Sequence, residues 1–549
     1  MQAATSASEH PPRWRQHWLW LGVALSVAIC LELTHAQPGK LFDRDGLSNA
    51  GDILSGFVHP DVSVDFLTRV WALSVESLLI GILGTVIAVL LGGALAFFAI
   101  RVPDLPEPPR REPAVVRVGL GIARSVSRLM LGFLRSVPEI VWAYILVRIL
   151  GLGPGAAVLA IALTSAGSIG KLYAELAEAV DPRAIHSLRA TGASRWAILL
   201  FAVVPQVKRQ WIGYALFRLE CNIRSGTILG VVGAGGLGSE IGLSIRYFQY
   251  DKLATTLLAV LAFVMALEML SAQLRQRSVR WSLAFAGLGG ALAFYQLDIP
   301  WGDLLTSTAP SMFTFDKLTF DRSFIHTVLG QIGDTLMMAW VATVTAAVLA
   351  FVLAPMAATA LMTGSYLPDP PRPTGMAHAM RHALMWFSRG LLQVTRAMPE
   401  LTLALLFVVW VGGGPLAGML AIAFHNIGVL GRLYANVLEE VEADPAAALQ
   451  AQGASGVATF LHGVLPQVKA RLAAFTLYQF EVNVRATAMV GFVGAGGIGD
   501  ALDTAISLFH MQDLTLLLIT MLLVVSVVDA IGDRTRTQIL KVKTTMLAH

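Results

Sequence analysis

Charged residues are scarce in this chain: Asp, Glu, Lys and Arg together make up 14% of 549 residues. A soluble domain carries about a quarter, so the polar residues needed to cover a water-facing surface are missing. Cysteine is nearly absent too. Cys30 and Cys221 both lie in apolar stretches without metal-ligand spacing, which gives no support to a disulfide framework or a cysteine-based metal site. No G-x-x-x-x-G-K-[ST] phosphate loop occurs. "SAGSIGKLY" comes closest, but Leu172 follows Lys171, so an ATP-hydrolysing unit would have to be another chain. Neither a His/Cys cluster nor a Ser-His-Asp arrangement can be proposed from local spacing. The sequence thus offers no catalytic residues, no metal, no bound cofactor and no nucleic-acid partner.

Apolar residues are what it has in excess. They make up 55% of the chain, and the mean hydropathy is +0.66. Many segments approach or exceed the ~18–20 apolar residues that cross a bilayer, so a polytopic membrane protein is expected. The N-terminal "PPRWRQHWLWLGVALSVAIC" has the arginine-then-apolar form of a signal peptide. However, "THAQ" is a poor cleavage site, and a matching span returns at Trp281–Leu297. A retained first span is the better reading.

The chain is a tandem duplication. At a shift of 261 residues, "RSVPE" from Arg135 falls on "RAMPE" from Arg396, and "GKLYAE" from Gly170 on "GRLYAN" from Gly431. "ATGAS" from Ala190 then matches "AQGAS" from Ala451, and "PQVK" at Pro205 matches "PQVK" at Pro466. "LECNIR" from Leu219 meets "FEVNVR" from Phe480, and Glu268 falls on Asp529. Upstream the shift slips to 258, placing Thr85 on Thr343. Residues 1–278 and 279–549 form the two repeats, each read as six spans. The first six are expected near 18–34, 70–99, 122–150, 155–173, 207–232 and 253–272. The second six are expected near 281–297, 326–360, 383–411, 415–434, 468–493 and 513–532. Gly and Pro interrupt several runs, which leaves open that a span per half is split or merged. An even count gives both halves one orientation, as in transporters with parallel repeats. Arg13 and Arg15, the Pro/Arg-rich segment 101–117, Arg275/Arg277/Arg280 and Arg534/Arg536 fall on one side. By the positive-inside rule that side, with both termini, is cytoplasmic.

Between the fourth and fifth spans of each half lies a moderately polar segment of helical composition, 174–206 and 435–467. Each is punctuated by Asp-Pro, then by Gly192 or Gly453, then by a hydrophobic-Pro step taken to end the segment before the next span. A short exposed helix with a turn at the glycine can insert into a groove on a partner. After the fifth span comes a glycine cluster, "GAGGLG" from Gly233 and "GAGGIG" from Gly494. The spacing matches a dinucleotide-binding turn, but that turn needs a preceding β-strand, and here a membrane-length apolar run precedes it. The glycines are expected to shape an outer gate where the halves meet: Gly233, Gly235, Gly236 and Gly238, and Gly494, Gly496, Gly497 and Gly499.

A glycine followed ten residues later by hydrophobic-x-hydrophobic-Pro resembles the docking loop of ABC-importer permeases. Gly192 with Ala202, Val204 and Pro205 fits that pattern, as do Gly453, Leu465 and Pro466, with Gly463 at the first hydrophobic position. The whole run, from "RSVPE" through "GAGGLG", resembles the phosphonate-importer permease family over almost all of each half. The resemblance implies an all-α tandem repeat of the six-span type I permease domain, with about 12 transmembrane helices, in a bacterial inner membrane. It implies two copies of a cytoplasmic ATPase, which would hold the ATP and Mg, and an extracytoplasmic binding protein. It assigns ATPase docking to Ala184, His186, Leu188, Gly192 and Ala193, and to Ala447, Leu449, Gly453 and Ala454. The family's loop glutamate, six residues before the glycine, is replaced by His186 and Ala447, so the two halves are expected to dock unequally. A related importer for another small solute such as methionine, and an ion-coupled secondary transporter with parallel repeats, remain open. A membrane-bound nucleotide-dependent oxidoreductase is the third class, which cofactor absorbance would reveal.

Two acid–arginine pairs sit inside the fifth spans. Glu220 and Arg224 are spaced i, i+4, and Glu481 and Arg485 repeat them. Such residues pair or face a cavity, since an isolated charge at the bilayer centre costs ~2.5–3.5 kcal/mol on insertion scales. Either each pair neutralises itself, or Arg224 and Arg485 line a translocation path for an oxoanion, which a guanidinium binds in a fork. Arg135 and Arg396, just before their prolines, read as interface anchors.

Overall fold

The computed structural model describes residues 13–101, 114–299, 301–302, 322–364, 375–508 and 510–546. Among these residues there is no strand. In chain order the main helices of the first repeat are α1 (Arg13–Leu33), α2 (Arg44–Val58), α3 (Val64–Ala99), α4 (Ala114–Ser136), α5 (Glu139–Leu150), α6 (Pro154–Glu178), α7 (Pro182–Ala190), α8 (Val204–Leu229), α9 (Leu237–Arg246) and α10 (Tyr250–Gln276). The second repeat follows with α11 (Val279–Gln296), α12 (Arg322–Ala357), α13 (Gly375–Ala397), α14 (Glu400–Val411), α15 (Pro415–Glu439), α16 (Ala443–Ala451), α17 (Leu465–Val490), α18 (Ile498–Ser507) and α19 (Met511–Met546).

Six of these helices, α3, α6, α10, α12, α15 and most of α19, are long and apolar enough to cross a membrane, and four sharply bent pairs raise the number to 10. The less apolar α1 and α11 complete the expected twelve. Two of the expected straight spans are broken. The third span of each repeat, read as 122–150 and 383–411, turns by 87° between α4 and α5 and by 91° between α13 and α14. The cause is local: proline disfavours helical geometry in the residue before it. Pro138 (ψ 148°) and Pro399 (ψ 141°) each stand as N-cap of a new helix. Conversely, the fifth span starts earlier than the expected 207. A helix beginning at Arg195 runs through a π-turn at Leu199–Val203 into α8. The hydrophobic-Pro step therefore does not end the segment. Pro205 sits in the first turn after the π-turn, where its missing N–H does little harm. The second repeat does the same through Phe460–Val464 and Pro466.

The repeats are interlocked. α1 packs on α12 of the other repeat, with Trp340 Nε1 donating to Ser26 Oγ at 3.0 Å. α11 packs in turn on α3, where Gly289 and Gly290 let it lie against Ile82 and Val86. α2, in the expected outer loop, bridges to α14 through Asn49 Nδ2 donating to the Val409 carbonyl at 3.1 Å. A continuous apolar core then joins α5 of the first repeat to the glycine turn, α18 and α19 of the second. Tyr144 and Phe492 stack within it, with ring centres 5.1 Å apart.

Candidate functional site: a charged cavity between the repeats

The two glycine clusters build the same turn. Gly233, Gly235 and Gly236 have φ of +88°, +81° and +74°; Gly494, Gly496 and Gly497 have +84°, +81° and +73°. These left-handed values favour glycine. Gly238 and Gly499 lack a Cβ for another reason: one would collide with the Thr227 or Ala488 carbonyl in the preceding helix. The turn is tied to its neighbours by matching bonds. Gly153 N–H donates to the Gly233 carbonyl at 3.1 Å and Gly414 N–H to that of Gly494 at 2.8 Å. Leu237 N–H donates to Ser77 Oγ, and Ile498 N–H to Thr335 Oγ1, each at 2.9 Å. A helix rather than a strand precedes each cluster, so neither has the setting of a dinucleotide-binding turn.

The segments 174–206 and 435–467 turn alike at their glycines. Asp181 caps α7 by accepting from Arg183 N–H at 2.9 Å, and Pro182 fills the first helical position. The helix then ends at Gly192, φ +77°, with Gly453 at +80° in the partner. Ser194 and Ser455 start the next helix by accepting from Ala197 and Ala458 N–H, each at 3.3 Å. "GAS" is thus a stop followed by a start. Ile185 and Ala446 anchor the short helices from beneath. Ala184 and His186 are exposed, Leu188, Ala193, Ala447, Leu449 and Ala454 half-buried, and Gly192 and Gly453 exposed.

The fifth-span charges correct the sequence reading. Glu220 and Arg224 stand 4.0 Å apart, the outer limit of an ion pair, and other partners are closer. Arg224 meets Glu268 of α10 at 3.8 Å, and Glu268 meets Arg396 of the other repeat at 2.6 Å. Glu220 turns instead to Arg275 at 3.7 Å. The second repeat repeats the pattern more tightly. Arg485 meets Asp529 at 3.1 Å, Asp529 meets Arg135 of the first repeat at 2.7 Å, and Glu481 meets Arg536 at 3.3 Å. The i, i+4 pair is therefore not the unit. A carboxylate from the last helix of one repeat is shared by its own fifth-span arginine and by the opposite repeat's third-span arginine. Long side chains reach across helices to these partners because a shared carboxylate satisfies two guanidinium groups at once.

Between the repeats lies a cavity of about 610 Å³. Its wall includes Arg135, Arg224, Glu481, Arg485 and Asp529, and also Lys171, Arg218, His425 and the two half-helix starts Pro138–Glu139 and Pro399–Glu400. Glu139 meets Arg218 at 3.8 Å, while Glu400 meets His425 Nε2 at 3.6 Å. Arg218, Glu139, Glu400 and His425 were not singled out in sequence. Arg218 reads there as one more fifth-span cation, without a carboxylate four residues away to mark it. Among the described residues no group of three His, Cys, Asp or Glu side chains could hold a metal.

Comparison with known proteins agrees with this architecture. The family described as "Binding-protein-dependent transport system inner membrane component" matches twice, over residues 117–280 and 373–539. The chain is 31% identical over 510 residues, covering 90% of both proteins, to the "Phosphate-import permease protein PhnE" of Mycolicibacterium smegmatis. It is 39% identical over 202 residues, 37% of this chain and 68% of the relative, to the "Phosphite transport system permease protein PtxC" of Stutzerimonas stutzeri. A solved inward-facing conformation of the MetNI methionine ABC transporter overlaps 40% of this chain and 99% of its own, at 19% identity and a TM-score of 0.34. With both repeats matched and a relative aligned over 90% of both chains, the chain belongs to the binding-protein-dependent transport inner-membrane components, two of them joined in one polypeptide.

Proposed function

We propose that this chain is the membrane-spanning subunit of an ATP-driven importer for a phosphorus oxoanion: phosphonate, phosphite or phosphate. The observation that carries this reading is the arginine-lined cavity between the repeats, in a chain that matches 90% of a relative named a phosphate-import permease. The cavity supplies the path, and guanidinium groups suit a tetrahedral oxoanion because they fork onto two oxygens. Two copies of a cytoplasmic ATPase, each holding ATP and Mg, would dock on 174–206 and 435–467, and an extracytoplasmic binding protein would deliver the anion. Both termini lie in the cytoplasm on this reading, and the chain itself holds no cofactor. The paired glycine turns, braced against Ser77 and Thr335, form the outer gate. The test is reconstitution of the complex in proteoliposomes with ATP inside and the binding protein outside. Uptake of labelled phosphite, phosphate or methylphosphonate that needs both ATP and binding protein is expected. Uptake by this chain without an ATPase would overturn the assignment.

A further inference from the structure

The duplication provides an internal comparison: wherever the two halves of the cavity differ, the difference is not required by the fold. At the 261-residue shift, Arg218 is matched by Gln479, Thr164 by His425, Ser165 by Asn426 and Ser225 by Ala486. The second-repeat groups spend their donors internally. Gln479 Nε2 donates to Asn426 Oδ1 at 2.5 Å, Asn426 Nδ2 to Asn483 at 2.6 Å, and Asn483 Nδ2 to Thr343 at 2.7 Å. His425 is held by the Met398 carbonyl at 2.9 Å and by Glu400 at 3.6 Å. In the first repeat the chain of bonds is similar: Arg218 Nη2 donates to Ser165 Oγ at 2.8 Å, Ser165 to Asn222 at 2.6 Å, and Asn222 to Thr85 at 2.9 Å. Here, however, donors are left over. Arg218 Nε and Thr164 Oγ1 are buried without a hydrogen-bond partner, and both residues line the cavity. Among the described residues the one carboxylate paired with Arg218, Glu139, is 3.8 Å away, too far for a hydrogen bond.

We propose that the cavity has one oxoanion station rather than two, built on the first repeat from Arg218 and Thr164, with Glu139 as the resident carboxylate that an arriving anion displaces. This rests on the oxoanion reading above and names where that anion stops. At the positions equivalent to Arg218 and Thr164 the second repeat offers no second station, because it carries there an amide and an imidazole already engaged. A single asymmetric station follows from the chemistry. Two symmetric cationic stations would hold a divalent anion from both sides and slow its release, whereas one lets it leave.

The test compares anion binding with transport, using the assembled complex without binding protein. Phosphorus NMR line broadening would report binding of inorganic phosphate, phosphite and methylphosphonate. The variant Arg218→Gln with Ser165→Asn copies the second repeat's own network, so folding and co-elution with the ATPase should be kept. Loss of one charge-assisted fork should weaken anion binding about tenfold or more. Arg218→Lys should restore part of it, and Thr164→Val should weaken binding less, without change in assembly. Glu139→Gln should tighten binding, since it removes the competing carboxylate. Opposite signs for the two partners mark an anion site. If Glu139→Gln and Arg218→Gln instead impair assembly alike and leave anion binding unchanged, the pair is structural and the station is overturned. Wild-type complex that transports but shows no cavity binding overturns the station alone. Wild-type complex that transports none of the three anions overturns the oxoanion reading itself.

Discussion

Asp529 couples the two repeats by charge, and its removal gives a quantitative test of the shared-carboxylate arrangement. Its two contacts, 2.7 Å to Arg135 and 3.1 Å to Arg485, join three helices from both repeats. At an effective dielectric of about 20, each contact would be worth about 5–6 kcal/mol before desolvation. The side chains are 15–26% exposed and border a cavity open enough for water. Screening at two to four times that dielectric leaves about 1.5–3 kcal/mol of coupling per contact. Asp529→Asn also leaves two guanidinium groups facing each other, so the single variant should lose about 2–4 kcal/mol. Arg135→Gln alone should lose less, because Asp529 keeps Arg485. In the double variant the like-charge repulsion disappears with Arg135, and the loss should fall short of the sum by about 1.5–3 kcal/mol. Equilibrium unfolding of the purified chain in mixed micelles of rising SDS fraction measures all three. The mirror cycle, Glu268→Gln with Arg396→Gln, should give the same sign. A double variant equal to the sum within about 0.5 kcal/mol in both cycles would show that these contacts do not join the repeats.

Three further outcomes are expected. At Gly192→Val and Gly453→Val the added Cβ meets no neighbouring atom, so the left-handed backbone dominates the penalty, about 1–2 kcal/mol; ATP hydrolysis coupled to transport should fall while the spans stay folded, and unequally, as His186 and Ala447 differ. Wild-type coupling in the double variant would remove these turns from docking. In a background lacking Cys30 and Cys221, an impermeant thiol reagent on intact cells should label Gly51→Cys, on the exposed face of α2, but not Gly192→Cys; reversed labelling would invert the membrane orientation. Gly236→Ala places a Cβ 2.5 Å from Ser77 Oγ at a φ of +74°, so the outer turn should loosen and melting should fall by more than for Gly51→Ala, which meets nothing; equal melting would deny the turn its strain.

Much of the fold was legible because membrane helices are written in long apolar runs, and duplication states each run twice. The glycine clusters, the turns at Gly192 and Gly453 and the repeat register could all be read from residue type and spacing. The breaks at Pro138 and Pro399 were written there too, in "RSVPE" and "RAMPE", yet the apolar run on either side masked a turn of nearly 90°. Hydropathy is blind to direction: a straight helix and a bent one bury the same residues. The Pro205 step misled in the opposite sense, because a π-turn lets a helix absorb a proline that would otherwise end it.

Charge pairing was the part least open to sequence, for a geometric reason. The i, i+4 rule is local, and it nominated Glu220 for Arg224 and Glu481 for Arg485. Membrane helices run beside several neighbours, so a carboxylate on the last helix of a repeat lies as near as one a turn away. Glu268 and Asp529 win because each also meets an arginine from the opposite repeat, so each carboxylate is held from two sides across the interface. The same geometry explains why Arg218 was passed over. Its meaning lies in the contrast with Gln479, and that contrast matters only once both are known to border a shared cavity. A tandem duplication held to one fold is free to diverge where the fold makes no demand, and within the shared cavity Arg218 and Thr164 have diverged to Gln479 and His425.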